Sequence, residues 1–267
     1  MDYWQVYQRN IGLFSREQQQ KLKEAKVFVA GAGGVGGIEA ATLARFGVGE
    51  LVVMDPGVFD EPDMNRQFAA MASTIGENKA GATARLLRDI NPFMKVTALE
   101  YAPQDDAELA EHMAGSALVI DAIDAGGFDY KARFARIARS LGVLNVTAPI
   151  PGFGTLMAIF DPEGMTLEEF YRAPADPALW PIFRIPMDRI LGEKRYAHIV
   201  RRLYSGECTY LTTCAGAGAL NGGLVATEIA LIITGLRARD EIVVAPRVTY
   251  IDMLSRVFEV YTADGGD

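Results

Sequence analysis

Cysteine is scarce: Cys208 and Cys214 are the two in 267 residues, too few for a disulfide framework, and no Cys-x-x-Cys pair exists to hold structural zinc. A reducing, cytoplasmic setting is the expectation, with no zinc. Basic charge is also short, the formal balance being −8. That argues against a general polyanion-binding surface, so nucleic acid is not an expected partner. The opening residues Met1-Asp2-Tyr3-Trp4-Gln5 have neither the basic n-region nor the apolar h-region of a secretion signal. The longest apolar stretch, residues 224–236, is interrupted by Thr227 and Glu228 and is too short to span a bilayer, so no membrane association is expected. Internal repeats and low-complexity segments are absent. What remains is ordinary globular composition, 50% hydrophobic and 22% charged, in a chain long enough for one large α/β domain or two small ones.

The most informative stretch is Gly31-Ala32-Gly33-Gly34-Val35-Gly36-Gly37, between the apolar run Val27-Phe28-Val29-Ala30 and a helical pattern carried by Ile38, Ala41, Leu43 and Ala44. A buried strand thus feeds a glycine-rich turn and a helix. Glycines without Cβ let backbone approach a phosphate, and the helix N-terminus offers unpaired N–H groups and a positive dipole end. Asp55 closes the next apolar run, Leu51-Val52-Val53-Met54, at about the twenty-residue offset of a carboxylate that accepts from a ribose hydroxyl. The unit reads as a nucleotide site, but the pattern serves NAD, FAD and ATP equally.

Along the rest of the chain, Ser15 with Gln18 reads as a capping box opening a short polar helix, preceded by an arm, Tyr7-Gln8-Arg9-Asn10-Ile11-Gly12, that lacks core-building periodicity. Residues 56–77 form a long connection, and long connections in compact domains are usually functional. Spacing predicts a helix over 78–90 stopped before Pro92, a strand over 95–100, a helix over 107–113 and a strand buried on both faces over 117–121. Asp124 follows at the carboxyl edge, where open α/β sheets bind ligands. A helix over 128–141 and strands over 143–146 and 156–160 come next. Residues 161–207 are punctuated by Pro162, Pro174, Pro177, Pro181 and Pro186, with a helix near 189–204. They read as an excursion serving as lid or crossover, and the basic residues of 184–202 read as a solvated helix face ahead of an acidic-ligand dock. An apolar helix over 222–236 and a strand pair within 241–262, turning near 252–255, complete the chain.

Taken together, the arm Tyr7-Gln8-Arg9-Asn10, the loop 31–36, Asp55, Asn65-Arg66-Gln67-Phe68, Gly76-Glu77-Asn78-Lys79-Ala80 and Asp121-Ala122-Ile123-Asp124 resemble the ThiF/MoeB/HesA adenylyltransferases, relatives of ubiquitin-activating enzymes. The resemblance runs in order over most of the chain. It implies a single adenylation domain with a Rossmann-like, doubly wound, mainly parallel sheet extended by C-terminal antiparallel strands. Its parts would be an N-terminal arm and helix (1–25), a nucleotide-binding core (26–160), the excursion (161–207) and a C-terminal helix with strands (208–267).

The implied reaction is attack by a carboxylate, usually the C-terminus of a ubiquitin-like carrier protein or a peptide, on the α-phosphate of ATP. It gives an acyl-adenylate and pyrophosphate. The resemblance assigns Gly31, Gly33, Gly34, Gly36, Asp55, Asn65 and Gln67 to nucleotide binding, Arg66 and Lys79 to the triphosphate, and Asp124 to Mg²⁺. Arg9 would reach the ATP of the second subunit of a homodimer. An arginine and a lysine so placed suit charge building on phosphates and have no task in a dehydrogenase. Three positions depart from the family pattern: Pro62-Asp63 stands where Ser-Asn is usual, Ala125 replaces the asparagine after the metal aspartate, and the paired zinc cysteines are missing. Cys214 falls where some members carry a sulfur-transferring or thioester cysteine and is a candidate nucleophile, although free cysteine is more often a small buried hydrophobe. The alternatives are an enzyme like the tRNA threonylcarbamoyladenosine dehydratases, an NAD(P)-dependent oxidoreductase and an inactive nucleotide-binding scaffold.

Overall fold

The computed structural model describes residues 1–191 and 196–263. In chain order the elements are α1 (Tyr3–Val6), α2 (Arg16–Glu24), β1 (Lys26–Ala30), α3 (Gly36–Phe46), β2 (Glu50–Met54), α4 (Lys79–Ile90), β3 (Lys95–Leu99), α5 (Asp106–Met113), β4 (Leu118–Asp121) and α6 (Phe128–Ser140). They continue with β5 (Leu144–Thr147), β6 (Gly154–Phe160), α7 (Leu167–Tyr171), α8 (Met187–Leu191), α9 (Ala197–Tyr204), α10 (Ala215–Thr234), β7 (Arg247–Asp252) and β8 (Val257–Thr262).

All eight strands join one sheet in the order β3-β2-β1-β4-β5-β6-β7-β8. The first five pair in parallel, and β6, β7 and β8 extend the sheet antiparallel. The chain reverses direction across the sheet between β1 and β4, leaving a crevice at their carboxyl ends. The doubly wound core and antiparallel extension match the fold class expected from the sequence.

Side chains alternate across the strands and so build a core on each face. Val27, Val29, Leu51 and Val53 pack with Leu43 of α3, Leu87 of α4 and Val225 and Ile229 of α10. On the opposite face, Phe28, Val52 and Val119 meet Leu109 of α5 and Phe134 of α6. Within residues 161–191 and 196–207, Phe170, Tyr171, Trp180 and Ile190 pack over the antiparallel strands and bury Leu156, Phe160, Val248 and Tyr250 together with Phe128.

Several boundaries differ from the sequence expectation. The arm, which carries no core-building periodicity, contains a 3₁₀ turn over Gln8–Asn10 and follows a short helix, Tyr3–Val6. The N-terminal segment caps the far end of α3: Tyr3 Oη donates to Gly47 O (2.7 Å), Tyr7 Oη to Ala44 O (2.9 Å) and Asn10 Nδ2 to Phe46 O, which also accepts from Gln19 Nε2 of α2. Carbonyls that the helix cannot pair internally are thereby satisfied. The helix expected near 189–204 is two helices, α8 and α9. Of the basic groups placed there, Lys194 and Arg195 lie outside the described residues, whereas Arg184 Nη1 donates to Tyr204 O (2.9 Å) and Arg202 pairs with Glu207 (2.7 Å). Residues 241–246 are not strand.

The apolar helix starts at Ala215, seven residues before the expected 222. At 20 residues α10 is, among the described residues, one helix long and apolar enough by length and composition to cross a membrane. Here it lies against α3 and β6, with Asn221 buried and donating to Ala148 O (2.9 Å) and Thr155 Oγ1 (3.1 Å).

Candidate functional site

The glycine loop leaves β1 with Gly31 at φ +104°, its N–H bonded to Met54 O at 2.7 Å. A Cβ at Gly31 would collide with Ala122 O, and one at Gly36 would collide with Gly31 O, so both positions require glycine. Gly33 and Gly34 face the connection after β2: a Cβ at Gly34 would lie 3.2 Å from Arg66 Nε, and one at Gly33 3.7 Å from Gln67 Oε1. The loop is therefore a bare backbone surface roofed by two polar side chains, a form that admits a phosphate.

Asp55, at the end of β2, ties this loop to the next. Its Oδ2 accepts from Ala32 N (2.7 Å) and its Oδ1 from Gly57 N (2.8 Å), and each oxygen keeps acceptor capacity for a ribose hydroxyl. Asn78 caps α4 by accepting from Gly81 N and also donates to Asp55 O (3.0 Å) and Gly57 O (3.2 Å). That places Lys79, the first residue of α4, with its aliphatic stem beside Gly57 and its ammonium 5.5 Å from the Phe59 ring centre.

Between Lys79 and Arg66 sits Asp63, held in the 3₁₀ turn Glu61–Asn65. Its Oδ2 is 2.9 Å from Lys79 Nζ, its Oδ1 accepts from Gln67 Nε2, and Arg66 Nη2 lies 3.8 Å away. Burial opposes this charge, but bonds from Lys79 and the Asp60 backbone outweigh it and hold the carboxyl below the usual carboxylate range. Arg66 is further steadied by Asn65 Oδ1 (2.8 Å). Of the residues singled out in the sequence, Gly31, Gly33, Gly34, Gly36, Asp55, Asn65, Arg66, Gln67 and Lys79 thus form one continuous patch.

The two carboxylates after β4 occupy different environments. Asp121 is fully buried and paired with Lys131 Nζ at 2.8 Å, while Lys131 also donates to Ile123 O and Thr147 Oγ1, both at 3.2 Å. Burial pushes the Asp121 carboxyl up, against the pull of Lys131. Asp124 is exposed, three residues beyond a strand end that lies in register with Ala30 of β1, and its side chain caps nothing. Among the described residues no three His, Cys, Asp or Glu side chains converge on one point. A divalent cation at Asp124 would therefore complete its shell with phosphate oxygens and water, as Mg²⁺ commonly does.

Arg9 is not part of this patch. It is exposed on the arm at the C-terminal end of α3, whereas the glycine loop is at the N-terminal end of the same 11-residue helix, about 16 Å away along the axis. Cys214 is partly exposed, forms the N-cap of α10 and has Sγ 3.5 Å from Gly152 O.

Sequence reasoning missed three buried groups. In the sequence Asp63 stands out only as a departure from the family pattern, and Lys131 and Glu39 do not stand out at all. Lys131 was discoverable, since it falls on the apolar stripe of α6 with Phe128, Ala132 and Ala135. Glu39, in the first turn of α3, is wholly buried, and among the described residues no hydrogen bond reaches either of its oxygens. Burial pushes it up to about 8, with Asp121 adding to the rise and Asn221 and Lys131 opposing it.

Among curated proteins, the SAMP-activating enzyme E1 of Haloferax volcanii is 32% identical over 165 residues, 62% of this chain and 60% of that protein. The tRNA threonylcarbamoyladenosine dehydratase of Bacillus subtilis is 32% identical over 54% of this chain and 59% of its own length. The molybdopterin-synthase adenylyltransferase of Salmonella typhimurium is 35% identical over 44% of this chain and 48% of its own. The chain thus matches about half to three fifths of the length of these relatives. In fold it is similar to PaaA (TM-score 0.72, 19% identity, 97% of this chain and 73% of that one). It is also similar to Escherichia coli MccB solved with ATP (TM-score 0.69, 17% identity, 92% and 66%). The model of the ThiF family matches residues 7–264, nearly the whole sequence, and the chain belongs to that family.

Proposed function

We propose that this chain is an ATP-dependent adenylyltransferase that activates a carboxylate, that of a ubiquitin-like carrier or a peptide, as an acyl-adenylate with release of pyrophosphate. The observation that carries the reading is the continuous patch in which the glycine loop and Asp55 adjoin Arg66 and Lys79. Two cations beside a ribose-binding carboxylate suit a triphosphate, and a nicotinamide dinucleotide has no use for them.

In this reading the loop N–H groups and the α3 N-terminus take the α-phosphate region, Asp55 holds the ribose, and Arg66 and Lys79 neutralise the phosphates. Mg²⁺ would be held by Asp124 and would supply further neutralisation of the triphosphate. The incoming carboxylate is ionised near neutral pH, so the chain needs no general base; its task is in-line positioning and charge neutralisation. Arg9 sits at the wrong end of α3 to serve its own loop, which supports donation across a homodimer. The two cysteines form no disulfide, in keeping with a reducing cytoplasm.

The relatives' names divide over the acyl substrate. "SAMP-activating" and "molybdopterin-synthase" point to carrier proteins, and Escherichia coli MccB was solved with a partner written MccA-N7isoASN. A tRNA-linked carboxylate, suggested by the dehydratase similarity, fits a chain of net charge −8 less well. ATP–pyrophosphate exchange with carrier proteins, peptides and threonylcarbamoyl-bearing tRNA as separate acyl donors tests the proposal. Exchange dependent on a peptide or carrier C-terminus is expected. Tight NADH binding with no MgATP binding would overturn it.

A further inference from the structure

Asp63 stands in the middle of the cation pair that the triphosphate would use. Its two oxygens are already committed, Oδ1 to Gln67 Nε2 and Oδ2 to Lys79 Nζ and the Asp60 N–H. The three charged side chains retain little exposure, 10% for Asp63, 16% for Lys79 and 24% for Arg66, so water screens them weakly. With Asp63 the cluster carries one net positive charge; with a neutral amide there, as the family pattern has, it would carry two.

Resting on the adenylyltransferase reading, we propose that Asp63 is an internal counter-ion. It holds Lys79, Gln67 and Arg66 in place without nucleotide, and the triphosphate must displace it from Lys79, which lowers affinity for anionic ligands. Asp63 is then a positioning residue that sets nucleotide affinity through Lys79 and touches no reacting atom. An amide at this position still accepts from Gln67 but presents no charge to Lys79, leaving the ammonium free for phosphate.

The test is calorimetric titration of MgATP and of inorganic tripolyphosphate into wild type, Asp63→Asn and Asp63→Ser, each variant first checked for a cooperative thermal transition. Both ligands should bind the variants at least ~10-fold more tightly than wild type, with a steeper salt dependence, because a like charge beside the phosphates has been removed. Wild type binding MgATP with variants no tighter would overturn the counter-ion and leave the nucleotide reading standing. Variants that gain tripolyphosphate binding while no form binds MgATP would support the counter-ion and remove the nucleotide. No binding of either ligand by any form overturns both.

Discussion

Replacing Lys131 by Met is the sharpest test of how the end of β4 is built. The Lys131 side chain is 4% exposed and that of Asp121 fully buried, with 2.8 Å between their charges. Methionine keeps most of the stem but removes the ammonium, which strands a buried carboxylate and frees the Ile123 carbonyl and the Thr147 hydroxyl of their donor. Breaking one side of a buried pair costs about 3–5 kcal/mol, which for a chain of this size lowers Tm by roughly 10 °C.

The variant should also acquire a pH signature. Without the ammonium, the folded pKa of Asp121 rises further above its ordinary value of about 3.9. A raised acid pKa contributes stability that is present at low pH and lost as pH climbs through the folded value, so the deficit of Lys131→Met should shrink on acidification from pH 7 to 5. Combining it with Asp121→Leu exchanges the pair for apolar groups and should recover most of the loss. Urea unfolding at pH 5 and 7 reads all three forms. A Lys131→Met protein as stable as wild type, or one that weakens further in acid, would refute the account of the pair.

Asp124→Ala should leave stability within about 0.5 kcal/mol, as an exposed uncapping residue does, while abolishing pyrophosphate exchange; retained exchange would remove the metal assignment. Arg9→Ala and Lys79→Ala, each inactive alone, should regain toward half the wild-type activity per heterodimer after subunit exchange, since one site then has both residues. No recovery after verified mixing, or a monomer by light scattering, would refute donation in trans. Glu39 rises from an ordinary 4.5 to about 8, so it contributes stability below pH 4.5 that is lost as pH climbs toward 8, by several kcal/mol at most. Glu39→Gln should flatten the stability profile in that window, and an unchanged slope would show that Glu39 is not its source.

The parallel half of the sheet and its glycine loop were legible because their signals are local. A glycine loop between a buried strand and a helix, an acid ending the next strand and an Asn-Lys pair opening α4 each have a short-range cause that survives in sequence order. Asp121 and Asp124 could also be told apart, since one ends an apolar run and the other follows it. What could not be read were pairings set by tertiary approach. Nothing near Asp63 in sequence says that Lys79, sixteen positions on, will supply its partner. Likewise, the arm's lack of periodicity concealed that Tyr3 and Tyr7 are buried and bonded to the last turn of α3.

The misplaced start of α10 has the same origin. Residues 215–221 contain Gly216 and Gly218, with Gly222 and Gly223 directly after them, and each glycine costs a helix interior about 1 kcal/mol against alanine, so 215–221 reads as loop. In the fold two of these glycines, four apart on one face, let α10 rest directly on α3 and the glycine loop. A Cβ at Gly222 would come within 2.6 Å of Ile38 Cγ1, and one at Gly218 would lie 3.4 Å from Gly34 O and 3.5 Å from Arg66 O. The propensity lost along the helix is offset by backbone contact with α3, the glycine loop and the turn bearing Arg66. Gly218 thus joins the first turns of α10 to the glycine loop and to the turn bearing Arg66, so a helix distant in sequence is packed against the candidate site.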